Sequence, residues 1–276
     1  MTTPARTESD AEVAADIARV AGALLQDFRA GFQAPAGLEP RAAAMALRDA
    51  ADAASQVYLD RELTARRSGD AVLSEEAADS AERDGADRVW IIDPLDGTWE
   101  YGMGRSDWAV HVALWQREPA PAGSLLLGVV AVPDEDVVFT SAVPPVLPPL
   151  DLTRPLRIIA SRSRPPAMLE AVAGSLAGAW ADLGGPADCE IVQVGSVGAK
   201  VARLLTGRAE VYLHDTGFYE WDVAAPLAVA QAAGLRATHI DSAAVTFNHR
   251  PPYVTSLLVA RPEVADAVAA ATRDAR

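Results

Sequence analysis

The order of hydrophobic patterns predicts an α/β protein, with an α+β N-terminal half and an α/β C-terminal half. Three observations carry this expectation. Two segments of helical period open the chain, a run of β-rich segments follows, and beyond a proline-rich stretch strand and helix patterns alternate. A chain of 276 residues allows one large or two modest domains.

Each element has its own signal. Residues 1–8 read as a disordered start. From Ser9 to about Phe32, Val13, Ile17, Val20, Ala21, Leu24, Leu25 and Phe28 recur at helical spacing, with Ser9 or Asp10 as the cap. A second helix is expected over about 50–67, with Val57, Leu59 and Leu63 inward, and "RSGD" at 67–70 breaks it. "RVWIID" (88–93), "WAVHVALW" (108–115), "LLLGVVAV" (125–132) and "DVVFTS" (136–141) read as strands, so two helices should pack on a largely antiparallel sheet. Residues 143–155 carry five prolines and mark the expected boundary between a unit of 1–150 and a unit of 151–276. Beyond it, "LRIIAS" reads as a strand, 165–179 as a helix, "EIVQVG" as a strand and 197–206 as a helix. "EVYLH" is then a strand, 223–233 a helix and "SLLVA" a strand, and a last helix follows Pro262.

Composition excludes several function classes. Hydrophobic residues make up 50% and charged residues 22%, which fits a globular core. The net charge of −14 argues against a nucleic-acid surface and against binding to anionic membranes. No apolar run approaches the ~18 residues of a membrane span, and the N-terminus lacks the apolar segment of a signal peptide. The single cysteine, Cys189, allows no internal disulfide and no Cys-based zinc site, so a reducing, cytoplasmic setting is expected. The four histidines, His111, His214, His239 and His249, lack metal-ligand spacing, and His111 reads as a core or sheet residue. If the substrate is anionic, so acidic a chain must import a cation to hold it.

The chemistry is concentrated in "VWIIDPLDGTWEYG", Val89 to Gly102. A buried strand ends in Asp93 and Asp96; Pro94 removes an N–H from the ladder, and Gly97 permits close backbone approach or a positive φ. Thr98 can then open a short helix with free N–H groups. Two carboxylates and the Leu95 carbonyl are hard oxygen ligands suited to Mg²⁺, while N–H donors suit a phosphate, so this loop suits metal-assisted phosphoryl chemistry. Asp-Pro and Asp-Gly alone are common turn dipeptides; the full string after a buried strand is far more specific. "AVLSEE" (71–76) is a second apolar run ending in acids, Glu75 and Glu76. "YEWDVAAPLAVAQAAG" (219–234) places Asp222 at a helix start, where taken singly it reads as a cap.

Together these motifs resemble the lithium-sensitive, magnesium-dependent phosphatases of the inositol monophosphatase superfamily. "DPLDGT" (93–98) is similar to its first signature, "WDVAAP" (221–226) to its second, and "LSEE" (73–76) to its glutamate motif. The family's upstream aspartate falls on Asp52, 23 residues before Glu75 (75 − 52). The resemblance runs from about residue 10 to 270 and implies a layered αβαβα sandwich. "LSEE", Glu100 two residues after Thr98, "ASRSR" (160–164) and "VGSVGAK" (194–200) are most similar to the 3′(2′),5′-bisphosphate nucleotidases of the bacterial CysQ group. Three positions depart from the pattern. Asp49 stands where many members have Thr, Tyr101 where they have Phe, and Trp99 replaces a Lys or Arg, removing a cation beside the phosphate site.

The resemblance implies a Mg²⁺ held by Glu75, Asp93 and the Leu95 carbonyl, a second held by Asp93, Asp96 and Asp222, and room for a third, weaker ion near Glu75. It implies that Thr98, hydrogen-bonded to Asp52, orients the attacking water and relays its proton, so that Asp52, Thr98 and Glu75 form the catalytic set. Gly97 and Thr98 N–H groups would bind phosphoryl oxygens, and Ser161, Arg162, Ser196, Lys200 and Asp222 would contact the substrate. Arg162 and Arg164 offer cations in place of the one missing at Trp99. Without the resemblance, Lys200 reads as a solvated helix residue. The leading expectation is removal of the 3′-phosphate from 3′-phosphoadenosine 5′-phosphate, giving AMP. An inositol-1-phosphate or fructose-1,6-bisphosphate phosphatase is the neighbouring alternative, and a non-catalytic metal- and phosphate-binding regulator is the alternative of another class. The expected partner is a small phosphorylated molecule; a homodimer is compatible with the sequence and not specified by it.

Overall fold

A computed structural model describes residues 8–118 and 123–276; the expected disordered start falls almost wholly outside them. Helix α1, Asp10–Gly31, begins where the sequence places it. Ser9 caps it by accepting from Glu12 N, and the Glu12 carboxylate returns to Ser9 N at 2.8 Å. Val13, Ile17, Ala21 and Leu25 form its buried stripe, with Val20, Leu24 and Phe28 at the margins. Helix α2, Pro40–Arg66, starts ten residues before the expected point. Pro40 suits a first helical position, but the first turns are Ala-rich and exposed, so no apolar period announces them. Val57 is 70% exposed, against expectation, because the inward face of α2 is Asp52, Ser55, Leu59 and Leu63. Two of those inward positions are polar, and both reach the functional site.

The first sheet runs in the order β1 (Ala71–Ser74), β2 (Arg88–Asp96), β3 (Ala109–Gln116), β4 (Ser124–Val132) and β5 (Val137–Thr140). Only β1 and β2 are parallel; the other pairs are antiparallel. Helix α3, Thr98–Gly102, follows β2. The proline-rich stretch then crosses to a second sheet. Its strands are β6 (Leu156–Ser161), β7 (Cys189–Val194), β8 (Val211–His214), β10 (Arg236–Thr238) and β12 (Leu257–Ala260), in the order β10-β12-β8-β6-β7. β6 is parallel to β7 and β8, while β12 is antiparallel to its neighbours β8 and β10. Short strands β9 (Phe218–Tyr219) and β11 (Tyr253–Val254) pair separately. Helices α4 (Leu169–Asp182), α5 (Val197–Leu205), α6 (Glu220–Ala232) and α7 (Ala265–Asp274) complete the order. The sequence places α4 four residues early and does not announce β9, β10 and β11. Each of those three strands is two or three residues long, too short for a period-two signal.

Three apolar clusters define five layers. α1 and α2 cover one face of the first sheet around Ile17, Leu59, Trp90 and Val112. α5 and α6 fill the space between the sheets, joining Ile91, Ala113 and Val130 to Leu204, Val223 and Tyr212 in one cluster. α4 and α7 cover the outer face of the second sheet around Ile158, Leu176, Leu213 and Val268. The result is α/β/α/β/α layering, with α5 and α6 shared between the sheets. Gly128 makes the approach of β4 to α6 possible, since a Cβ there would lie 2.6 Å from the Ala225 carbonyl oxygen. Among the described residues no helix is long and apolar enough to cross a membrane.

Candidate active site

The site forms where β2 loses its regular ladder. β2 continues through Asp96 instead of stopping at Pro94: Asp93 pairs with His111 and Asp96 with Ala109, so three steps on β2 span two on β3. This bulge forces Pro94 and Leu95 out of register and turns both acids to the same end of the strand. Asp93 Oδ1 accepts from Leu95 N at 3.0 Å, and Ser55 Oγ on α2 donates to the Pro94 carbonyl at 2.9 Å. Gly97 then adopts φ +88° as the cap of α3; a Cβ there would meet Ser196, Asp107 and Trp108 within 3.3 Å. Both reasons for a glycine, positive φ and close approach, apply at this position.

Asp222 arrives from the other half. It sits at the third position of α6, where one oxygen accepts from Tyr219 N at 2.8 Å. It therefore does cap its helix, and it also joins Asp93 and Asp96 in a group whose ligand atoms lie within 4.8 Å of one another. Leu95 and Glu75 line the same cleft. Among the described residues, the hydrogen bonds to the Asp96 side chain end at Oδ2, from Ser196 Oγ at 2.7 Å and Gly198 N at 2.9 Å. Ser196, expected at the substrate, instead caps α5 and fixes Asp96.

These acids are held against their ordinary chemistry. Asp93 and Asp222 are raised well above the usual carboxylate range, by burial first and then by neighbouring acids. Glu75 faces the open cleft, yet desolvation, followed by Asp52, Asp96 and Glu76, pushes it up to about 8. Asp93 Oδ2 is buried without a hydrogen-bond partner among the described residues. Buried carboxylates that repel one another, with an unpaired oxygen and hard oxygen donors converging, fit a divalent cation such as Mg²⁺. The expected hydrogen bond between Thr98 and Asp52 is not formed. Asp52 Oδ1 is buried and unpartnered among the described residues, and burial together with Glu76 and Asp49 raises the group to about 7.

A second wall of the same cleft is formed by Ser161–Arg164, Gly195, Lys200, Tyr212, His214 and Phe218. Lys200 is 3% exposed instead of solvated; it donates to the Gly195 carbonyl and lies 5.3 Å from the Tyr212 ring centroid. Burial pulls its ammonium down to about 8, even though Asp96, Glu100 and Asp222 oppose the shift. Arg162 is already engaged, by Glu100 at 2.5 Å and Asp107 at 2.7 Å, so its charge is neutralised within the protein. Arg164 is exposed and forms no ion pair among the described residues. Ser161 lines the wall and accepts from Arg164 N at 3.3 Å. Trp99, 43% exposed, stands at the rim.

A family model described as the inositol monophosphatase family matches residues 7–143 and 160–276. The chain belongs to the inositol monophosphatase family. Within that family it is 41% identical over 260 residues to a 3′-phosphoadenosine 5′-phosphate phosphatase of Mycobacterium tuberculosis, covering 92% of this chain and 90% of that protein. It is 39% identical over 271 residues to the protein of the same name from Mycobacterium leprae, covering 93% and 91%. The crystal structure of CysQ from Bacteroides thetaiotaomicron, a bacterial member of the family, shares the fold with a TM-score of 0.66 at 23% identity, over 91% of this chain and 96% of that one. The inositol monophosphatase family match stops at 143 and resumes at 160, so its gap falls on the proline-rich stretch.

Sequence reasoning finds the acids and misses their partners. Glu100 and Asp107, which neutralise Arg162, carry no motif that names that role. Tyr212 and Phe218 sit in ordinary strand patterns. His111 is buried as expected, but it also touches Asp96: its Nε2 lies 3.2 Å from Oδ2, at an angle that does not make a hydrogen bond. The one signal was a polar residue in the middle of a buried strand, "WAVHVALW".

Proposed function

We propose that this family phosphatase is a Mg²⁺-dependent 3′(2′),5′-bisphosphate nucleotidase that removes the 3′-phosphate of 3′-phosphoadenosine 5′-phosphate. The observation that carries the reading is the juxtaposition of two unlike linings in one cleft. Asp93, Asp96 and Asp222 converge within 4.8 Å, and the buried Lys200 and the exposed Arg164 line the same cleft. The acids suit a cation that holds one phosphate, and the basic wall suits a second. The curated mycobacterial relatives bear the corresponding name.

In this reading Glu75, Asp93, Asp96, Asp222 and the Leu95 carbonyl hold two Mg²⁺, with a third place near Glu75. The bound cation supplies charge neutralisation at the phosphoryl group and lowers the pKa of water. Gly97 and Thr98 N–H groups receive phosphoryl oxygens, and the Thr98 hydroxyl orients the attacking water. Asp52, already raised to about 7, stands ready to take a proton near neutral pH. Asp222 orients the leaving group. Lys200 and Arg164 receive the 5′-phosphate, beside Ser161. A cytoplasmic setting and a homodimer belong to the same proposal, the latter read by light scattering.

A substrate panel with inorganic phosphate as the readout tests the function. The expected order places 3′-phosphoadenosine 5′-phosphate above inositol 1-phosphate and fructose 1,6-bisphosphate, with Mg²⁺ required and Li⁺ inhibitory. Preference for inositol 1-phosphate moves the assignment to the neighbouring activity, and full turnover in excess chelator removes the metal.

A further inference from the structure

We propose that His111 is a positioning residue that sets the spacing between Asp96 and the start of α6, and through it the cation affinity of the site. His111 lies on β3, directly opposite Asp93 in the ladder, and is fully buried. Its Nδ1 lies 3.2 Å from the Trp221 carbonyl oxygen, one residue before Asp222. Its Nε2 lies 3.2 Å from Asp96 Oδ2. The ring edge also rests on Gly198, where any Cβ would overlap it. One rigid, planar ring thus touches three segments: the end of β2 with Asp96, the first turn of α5, and the first turn of α6.

These segments come from distant parts of the chain, and among the described residues only this ring and the Ser196 and Gly198 bonds meet at the Asp96 carboxylate. Because those contacts gather at Oδ2, they orient the carboxylate and leave Oδ1 without a donor among the described residues. The Asp96 to Asp222 distance is then fixed by an imidazole wedged between a carboxylate and a helix carbonyl. A flexible or shorter side chain would let α6 move relative to β2. The groups that orient a metal-binding residue typically govern affinity or activity by 10- to 100-fold. A residue that only fills the core has no such effect when replaced by an apolar ring of similar size.

The inference rests on reading Asp96 and Asp222 as cation ligands, and the test separates the two. Mg²⁺ binding is measured by calorimetry, without substrate, on wild type, His111→Phe and His111→Gln. Thermal midpoints are taken in chelator, and kcat and KM at saturating Mg²⁺. The expected result is Mg²⁺ affinity at least about 10-fold weaker in His111→Phe, lower kcat and KM within about twofold. His111→Gln, whose amide can still donate to one of the two acceptors, should recover part of both losses. Unchanged Mg²⁺ affinity and kcat in a folded His111→Phe overturn the role and make His111 a core filler. If that variant fails to fold, unchanged affinity in His111→Leu, which can donate to neither acceptor, overturns it equally. A wild-type protein that binds no Mg²⁺ overturns the cation reading and this inference together.

Discussion

The two walls of the cleft are built from opposite compromises. The wall from the first sheet gathers acids and leaves their charge unbalanced, so that Asp93 is raised by burial and by its neighbours. The second wall buries a single ammonium, Lys200, and burial holds it down near 8. Each wall is unfavourable alone. The first is relieved by a divalent cation and the second by an anion, and a phosphate ester bound to the cation brings both. Arg162 teaches the converse: it sits on the same wall as Lys200, but Glu100 and Asp107 have already neutralised it. Availability, more than the presence of a charged residue, separates a binding group from a structural one.

The sharpest way to break this comparison is to neutralise the acidic wall. Asp96→Asn and Asp222→Asn should each lower kcat at least ~100-fold, the scale for losing a catalytic electrostatic group. In chelator both variants should remain folded, since the change removes a repelled charge. If Asp222 serves only its helix, Asp222→Asn or Asp222→Ala leaves turnover intact and costs at most ~1 kcal/mol in a denaturant titration.

The basic wall is tested next. Lys200→Ala should raise KM for the nucleoside bisphosphate roughly 10- to 150-fold, from a charged hydrogen bond of ~1.5–3 kcal/mol, and should spare inositol 1-phosphate. Equal losses on both substrates would assign Lys200 to the scaffold, where its contacts with Gly195 and Tyr212 place it structurally.

A pH titration of stability sharpens the contrast without mutation. Asp52 and Glu75 have folded-state values near 7 and 8, above their unfolded values. The folded protein thus keeps protons that the unfolded chain has already released. In chelator, stability should therefore be greatest at acid pH within the folded range and fall as pH rises from about 5 to 8. Saturating Mg²⁺ should flatten that slope, because the cation replaces the protons. A metal-free midpoint that is flat or rises over this window contradicts the upward shifts.

The smallest effects should separate the two arginines. Arg164→Ala should weaken bisphosphate binding a few-fold and leave the thermal midpoint in place, since the side chain is exposed and forms no ion pair among the described residues, holding only the Gly217 carbonyl at 3.5 Å. Arg162→Ala should do the reverse, lowering stability by uncovering the buried Glu100 and Asp107.

Much of this arrangement is legible in the sequence, and the rest is not for identifiable reasons. The acids of "DPLDGT" and "WDVAAP" follow strong strand and helix signals, so their placement at element ends is readable. The strands from Arg88 to Thr140 stand out because apolar runs and turn residues alternate cleanly. The start of α2 is hidden because its first turns bury little. Pairings at long range are hidden altogether: nothing local links Asp96 to Ser196 a hundred positions away, or Arg162 to Glu100. The same limit applies to Asp52 and Thr98, whose motifs are both present while the bond between them is not formed.

The layer of α5 and α6 packed between both sheets has a consequence for engineering. Val223 and Leu204 belong to a single apolar cluster that also contains Ile91 and Val130 from the first sheet and Ile159 and Tyr212 from the second. A chimera joined at the proline-rich stretch would therefore have to import a middle layer already matched to a foreign sheet. Selectivity in this architecture is not a cassette: it can be retuned residue by residue along the cleft, but it cannot be swapped by exchanging halves.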